Sequence, residues 1–339
     1  MRFFCTYFDH RYLPRGLALY ESLKRHCPAF KLWVLCLTRE CRAQLEPLAL
    51  PEIDLIPLEA LERDDPELAA TRTKRSTLEY YFTCTPSLPR YILAHCPEVE
   101  LVTYLDADLF FFADPAPVYD ELGGRSIGII EHRFPESLRH HERYGRFNVG
   151  WLSFRRDAAG QACLAWWRAR CLEWCHDRCE DGRFADQKYL DNWPEKFQGV
   201  ALLQHKGANL APWNLANYQV RTATDGIRVD DQPLIFFHFH ALKELEPWLY
   251  DSNLAVYGVK LDKGMVRQLY EPYFQTLRAV QRRFALSAPA SPFDRAAPRR
   301  PSGQARTPIQ PRTWLKRLRQ IVLALSGTNY LLVRNGRIL

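Results

Sequence analysis

No apolar run in this 339-residue chain approaches the roughly 18 residues that a membrane span requires. Cysteine is plentiful at ten residues, yet no Cys-x-x-Cys pair occurs, so the spacing that announces a zinc site is missing. The nearest cluster is Cys171, Cys175 and Cys179, with His176 beside them. Their spacing of four predicts three sulfurs on one helix face, and successive turns of one helix cannot wrap a tetrahedral metal. They read as reduced thiols packed as small apolar groups. The opening Met1-Arg2-Phe3-Phe4 runs straight into a strand-like segment, without the basic, apolar and small-residue regions of a signal peptide. A cytoplasmic location is the expectation. No internal repeat is present.

Acidic residues are nearly absent from one end. After residue 285 there are ten Lys/Arg and a single acid, Asp294, whereas the rest holds 36 basic and 38 acidic residues. The net charge of +7 therefore belongs to the tail, and a near-neutral body argues against a nucleic-acid partner. Residues 286–312 mix Pro289, Pro292, Pro298, Pro301, Pro308 and Pro311 with Ala, Ser and Arg, the composition of a linker. In the tail proper, 313–339, Trp314, Leu318, Ile321, Val322 and Leu325 share one helical face, with Lys316, Arg317 and Arg319 among the polar positions. A basic amphipathic helix on a tether suits an anionic membrane surface, here the inner face; docking back on the body is the alternative.

Residues 1–285 alternate strand and helix patterns, which predicts an α/β domain. Strands are expected at Phe3–Phe8, Lys31–Leu37, Leu101–Leu105, Ser126–Ile130, Phe147–Phe154 and Leu234–His240. Helices are expected at Leu17–Arg25, at Thr77–Leu93 with an interruption near Pro86 and Pro89, and at Gln161–Cys179. The apolar strand Leu101–Leu105 delivers Asp106 and Asp108 at its carboxyl edge, where open α/β sheets bind ligands. Two hard oxygen ligands one residue apart can hold Mg²⁺ or Mn²⁺ against a diphosphate. A phosphohydrolase of the haloacid-dehalogenase type also uses Asp-x-Asp. It would place the pair on the first strand, with Thr or Val where this chain has Phe110.

Five short segments in one order carry a resemblance. They are Thr6-Tyr-Phe-Asp9-His-Arg-Tyr12-Leu-Pro-Arg-Gly16, Asp106-Ala107-Asp108, Asn148-Val-Gly150, Asp186-Gln187 and Phe236-Phe-His238-Phe-His240-Ala241-Leu-Lys243. Over about residues 1–250 the chain resembles glycosyltransferase family 8, the glycogenin- and lipopolysaccharide-glycosyltransferase-like enzymes. The resemblance implies a GT-A (nucleotide-diphospho-sugar transferase) fold, a single mixed, mostly parallel sheet flanked by helices. It also implies a nucleotide-sugar donor, a saccharide or glycolipid acceptor, and Mn²⁺ or Mg²⁺ held by Asp106, Asp108 and a later histidine. His238 and His240 alternate in a strand and so share a face; His238 fits the register better and His240 stays open. Ala241 stands in place of the family's glycine and Lys243 comes one place early.

On this reading Thr6, Tyr7, Asp9 and Tyr12 line the nucleoside pocket, although Asp9 also suits a cap before the next helix. Lys74 and Arg75 have the charge to reach the diphosphate, as does Lys243. Ala107 joins the donor site, Asn148 suits a sugar hydroxyl, and Gly150 permits close backbone approach. Asp186 and Gln187 are the expected catalytic pair beside the anomeric carbon. Asn209, Trp213 and Asn214 make an acceptor surface, a ring for an apolar sugar face and amides for hydroxyls. Glu131, His132, His140 and His141 flank a segment placed to cover the donor. The expected reaction is transfer of a hexose from a UDP-sugar with retention. The alternatives are inversion, with Asp186 or Glu131 as base; a nucleotidyltransferase, disfavoured because Asp9–Gly16 is no Gly-rich loop; and an inactive sugar-binding scaffold.

Overall fold

Seven strands make the central sheet: β1 (Arg2–Phe8), β2 (Phe30–Cys36), β3 (Ile53–Pro57), β4 (Leu101–Leu105), β6 (Ile127–Glu131), β7 (Phe147–Arg155) and β8 (Val200–Leu202). They follow the order β3-β2-β1-β4-β7-β6-β8 in the computed structural model, which describes residues 1–284 and 329–339. β3, β2, β1 and β4 are mutually parallel, β7 is antiparallel to both of its neighbours, and β6 and β8 are parallel. This is a mixed, mostly parallel sheet of α/β type. From β1 the chain moves outward to β2 and β3, and then returns to the other side of β1 as β4. The carboxyl ends of β1 and β4 therefore flank the point where the strand order reverses, the crevice such sheets use for ligands.

Both faces are covered, so the inner strands read as near-continuous apolar runs. On one face the helices Thr77–Cys84, Ser87–His95 and Ala158–Glu173 bring Tyr80, Leu88, Ile92, Leu164 and Trp167 against Val102, Ile127 and Leu152. On the other, Leu13–His26 packs Leu13, Leu17, Leu19 and Leu23 against Phe4, Leu32 and Val34. The predicted interruption falls at Thr85–Pro86; Pro89 stays inside the second helix because its first turn needs no amide donor.

A short strand β5 (Leu109–Phe111) follows the Asp-x-Asp pair and pairs antiparallel with Phe236–His238, matching His238 to Leu109. The expected strand Leu234–His240 is thus shorter, since Phe239 turns away with its amide on the Asp108 carbonyl (3.0 Å) and Ala241 takes φ 54. Helix Ala158–Glu173 also ends sooner than expected. Cys171 lies in it, but Cys175 and Cys179 lie beyond it, so the three sulfurs do not share a helix face; Cys179 is exposed.

The whole linker, 286–312, and residues 313–328 of the basic segment lie outside the described residues. Residues 329–339 return to the body. Tyr330–Arg334 pairs with Leu249–Asp251 and with Arg337–Ile338 in a four-stranded sheet, and Leu331 and Val333 are buried beside helix Lys263–Arg283. The sequence division placed these residues in the segment 313–339. The alternation Tyr330-Leu-Leu-Val-Arg334 belongs to a half-buried strand.

Candidate active site

β4 ends by turning Asp106 and Asp108 into a cleft of about 450 Å³, and the β5 ladder sets His238 opposite them. His238 Nε2 lies 3.1 Å from Asp108 Oδ1 and 3.7 Å from Asp106 Oδ2, and one ligand atom from each residue falls within 4.8 Å of the others. Two carboxylates and an imidazole are a donor set for a divalent cation. His240 stands outside this trio. Its ring is 5.9 Å from His238 and 5.2 Å from Trp213, where it lines the cleft.

Each metal-side group is held from behind. The Tyr104 hydroxyl donates to Asp106 Oδ1 (2.9 Å), and the Tyr12 hydroxyl donates to Asp108 Oδ2 (3.1 Å). Arg15, only 3% exposed, donates to the Tyr12 hydroxyl (3.2 Å) and the Leu242 carbonyl (2.5 Å). Burial and the neighbouring Asp108 carboxylate push the Asp106 carboxyl up to about 6, against the His238 charge. At Asp108 burial opposes ionisation, but His238 and Arg15 outweigh it and hold the carboxylate well below its usual range. Burial lowers His238, and the two aspartates reverse that and raise it. Burial and the His238 charge take His240 down to about 4.

Gly150 sets the close approach. A Cβ there would stand 2.6 Å from Asn148 Oδ1 and 3.0 Å from the His238 ring. Asn148 Oδ1 accepts the Gly150 amide (3.0 Å), and its Nδ2 faces Gln187 Oε1 and His132 Nε2, both at 3.3 Å. Gln187 also donates to the Tyr144 carbonyl (3.0 Å). Asp186, 5% exposed, is raised to about 7, chiefly by burial and then by Asp106, with Thr85 pulling the other way. Burial takes His132 down to about 3, leaving it a neutral partner for Asn148.

Of the residues singled out from sequence, Tyr7, Asp9, Tyr12, Asp106, Ala107, Asp108, Asn148, Asp186, Gln187, Trp213, His238 and His240 line this cleft. Asp9 does both things expected of it. Oδ1 accepts the amides of Arg11 and Tyr12 (2.9 and 3.1 Å), while the residue still borders the cleft. Thr6 does not line it; it lies one residue deeper in β1, 0% exposed, with Oγ1 unpartnered. Lys74 is exposed in a 3₁₀ turn, and Arg75 is drawn away to His176 Nε2 (2.9 Å) and the Leu172 carbonyl. Lys243 leaves with the turn at Ala241 and pairs in register with Asp251. Asn209 is buried beneath the surface at φ 61. Asn214 spends its amide on the Ala211 amide and the His132 and Asn209 carbonyls. Only Trp213 of that loop reaches the cleft.

Sequence reasoning missed Arg15, Tyr104, Thr85 and Tyr81. Arg15 sits in a helix where arginine ordinarily faces water, and Tyr104 reads as one more apolar residue of β4. Among the described residues lining the cleft there are five aspartates and four histidines, but no lysine or arginine.

No protein-family model matches the chain. It is 34% identical over 276 residues to the uncharacterised protein YfnF of Bacillus subtilis, across 79% of this chain and 90% of YfnF. It is 30% identical over 278 residues to YfnD of the same organism, across 81% and 88%. This chain belongs to their family. Among solved structures, an active-site mutant of LgtC superposes with a TM-score of 0.50 at 18% identity, across 73% of this chain and 89% of LgtC. That likeness is one of fold, and the fold of this YfnD/YfnF relative is of the GT-A glycosyltransferase type.

Proposed function

We propose that this protein is a metal-dependent glycosyltransferase of the family 8-like kind. It moves a hexose from a nucleotide-diphospho-sugar, a UDP-sugar, to a saccharide or glycolipid hydroxyl with retention. The observation that carries this is the Asp106–Asp108–His238 trio in an α/β switch-point cleft that has no lysine or arginine among its described lining residues. LgtC, whose fold it shares, is a galactosyltransferase crystallised with donor and acceptor sugar analogues. Asp106, Asp108 and His238 would hold Mn²⁺ or Mg²⁺, which would supply positive charge for a departing diphosphate.

The chain's own residues do the rest. Tyr12 and Tyr104 fix the two carboxylates through their hydroxyls. Tyr7, Leu37, Tyr81 and Phe82 offer an apolar wall for the base. Asn148 holds Gln187 at the sugar end, and Asp186 beside it meets donor hydroxyls. One observation favours inversion as a second reading: a buried carboxyl at about 7 is suited to take a proton from an incoming hydroxyl. On that reading, turnover falls as pH drops below about 7 and Asp186→Asn abolishes it; the anomeric configuration of the product, read by NMR, separates the two.

The deciding test is hydrolysis of a panel of nucleotide-sugars with and without Mn²⁺, for wild type and Asp108→Asn. Slow, Mn²⁺-dependent cleavage of one UDP-sugar, lost in the variant, is expected. No turnover and no Mn²⁺-dependent UDP binding moves the protein to the inactive-scaffold reading. No helix among the described residues is long and apolar enough to cross a membrane. We place the protein in the cytoplasm, with residues 313–328 at the inner membrane face and no nucleic acid as partner.

A further inference from the structure

The cleft is closed on one side by a turn that the far end of the chain holds. Residues Leu254–Tyr257 form a 3₁₀ turn bracketed by left-handed backbone at Asn253 (φ 62) and Gly258 (φ 67). Leu254 sinks into the core, and Tyr257 borders the cleft. The Tyr257 ring stands 5.8 Å from His141, 6.5 Å from Trp213 and 6.5 Å from His240, so it shares a wall of the cleft with these three. Asn329, the residue through which the C-terminal strands enter the fold, grips the base of this turn. Its Oδ1 accepts the Ala255 amide (2.9 Å), its Nδ2 donates to Asp251 Oδ1, and its carbonyl accepts the Ser252 amide (2.9 Å) and hydroxyl (2.7 Å).

We propose that the half-buried Tyr257 ring covers the apolar face of a neutral acceptor sugar, with the buried Trp213 (2% exposed) standing edge-on behind it at 73°, and that Asn329 is the positioning residue that sets Tyr257 there. The inference rests on the glycosyltransferase reading above. An aromatic face covers the apolar face of a pyranose, and the described residues lining the cleft include no lysine or arginine to pair with an anionic acceptor. Asn329 touches neither substrate. Without its side-chain amide, the Ala255 amide loses its partner, Asp251 Oδ1 keeps only the Asn253 amide (2.9 Å), and the turn is free to leave the cleft wall.

The test uses the full chain, saturating Mn²⁺ and the nucleotide-sugar found by the hydrolysis panel, with methyl α- and β-hexopyranosides as acceptor probes. Asn329→Ala is expected to keep donor hydrolysis without acceptor within about twofold and to raise the glycoside KM about tenfold. Tyr257→Ala raises the same KM, and the double variant is no worse than Tyr257→Ala, because both changes remove one interaction. Unchanged glycoside KM in Asn329→Ala, additive effects, equal loss of donor hydrolysis, or no methyl glycoside accepted by a hydrolytically active wild type each overturns the proposal. Absence of hydrolysis in the wild type instead sinks the reading beneath it.

Discussion

A methyl group at position 150 has two neighbours it cannot avoid, Asn148 Oδ1 at 2.6 Å and the His238 ring at 3.0 Å. The ring is pinned by the β5 ladder and by Asp108, so relief comes from displacing a proposed ligand. Gly150→Ala is expected to weaken Mn²⁺-dependent hydrolysis at least tenfold, with the midpoint for Mn²⁺ shifted upward. An unchanged Mn²⁺ titration would remove His238 from the ligand set. A second residue tests stability away from the cleft. The Asp65 side chain is fully buried and ion-paired to Arg168 at 2.5–2.6 Å, and it accepts from Ser87 and from the Leu68 amide at 2.9 Å. Burial opposes its charge, but Arg168 and the Leu68 amide win and lower it. A carboxylate lowered on folding stabilises the protein above its unfolded value, and that contribution is lost as pH falls through the folded value. Asp65→Ala should therefore cost roughly 3 kcal/mol at pH 7, leaving Arg168 with the exposed Glu67 (2.7 Å) as its remaining carboxylate, and the gap should narrow at pH 3. Urea midpoints at the two pH values measure both quantities; a gap that widens in acid refutes the linkage.

At the scale of elements, what the sequence disclosed followed the strength of its periodicity. β1, β2, β4, β6 and β7 are apolar runs or alternations bounded by polar turns, and each was readable to within a residue or two. β8, with three residues, and the final hairpin, separated from its partner Leu249–Asp251 by a Pro-rich stretch, carry too little local pattern and depend on distant pairing. The cleft divides in the same way. Side chains projecting from strand ends, such as Asp106, Asp108, Asn148 and His238, were legible because the backbone fixes where they point. Lys74, Arg75 and Lys243 were chosen for charge, and turns carried them elsewhere. The opposite error is Arg15 in helix Leu13–His26, which hides a buried guanidinium in a helical pattern. Arg15→Met keeps the stem's packing but removes the donor to Tyr12 and Leu242. It is expected to lower Mn²⁺-dependent hydrolysis about tenfold, with near-native far-UV circular dichroism. Wild-type hydrolysis in that variant would make Arg15 a purely structural clamp.

For the whole molecule, the last eleven residues change what the basic segment is. Residues 285–328 are joined to the body at both ends, at Phe284 and at Asn329, and so are not a free tail. The two parts have separable expected effects. Replacing 289–326 by a Gly/Ser chain of equal length leaves the terminal hairpin able to pair, because closing a loop of that length costs little more than closing a somewhat shorter one. That variant should keep its urea midpoint and donor hydrolysis and lose co-sedimentation with phosphatidylserine vesicles, which the wild type shows at low salt. Truncation after Phe284 removes the hairpin as well. It uncovers the helix Lys263–Arg283 face beneath Leu331 and Val333 and strips the edge of Leu249–Asp251 of its partner. Burial of those two side chains sets the expected loss at about 3–5 kcal/mol. If the truncated chain kept the wild-type midpoint, the hairpin would be an appendage. If the Gly/Ser chain still bound vesicles, the surface-binding charge would have to lie on the body, whose 38 bases and 38 acids, Arg334 and Arg337 included, give it no excess to spare.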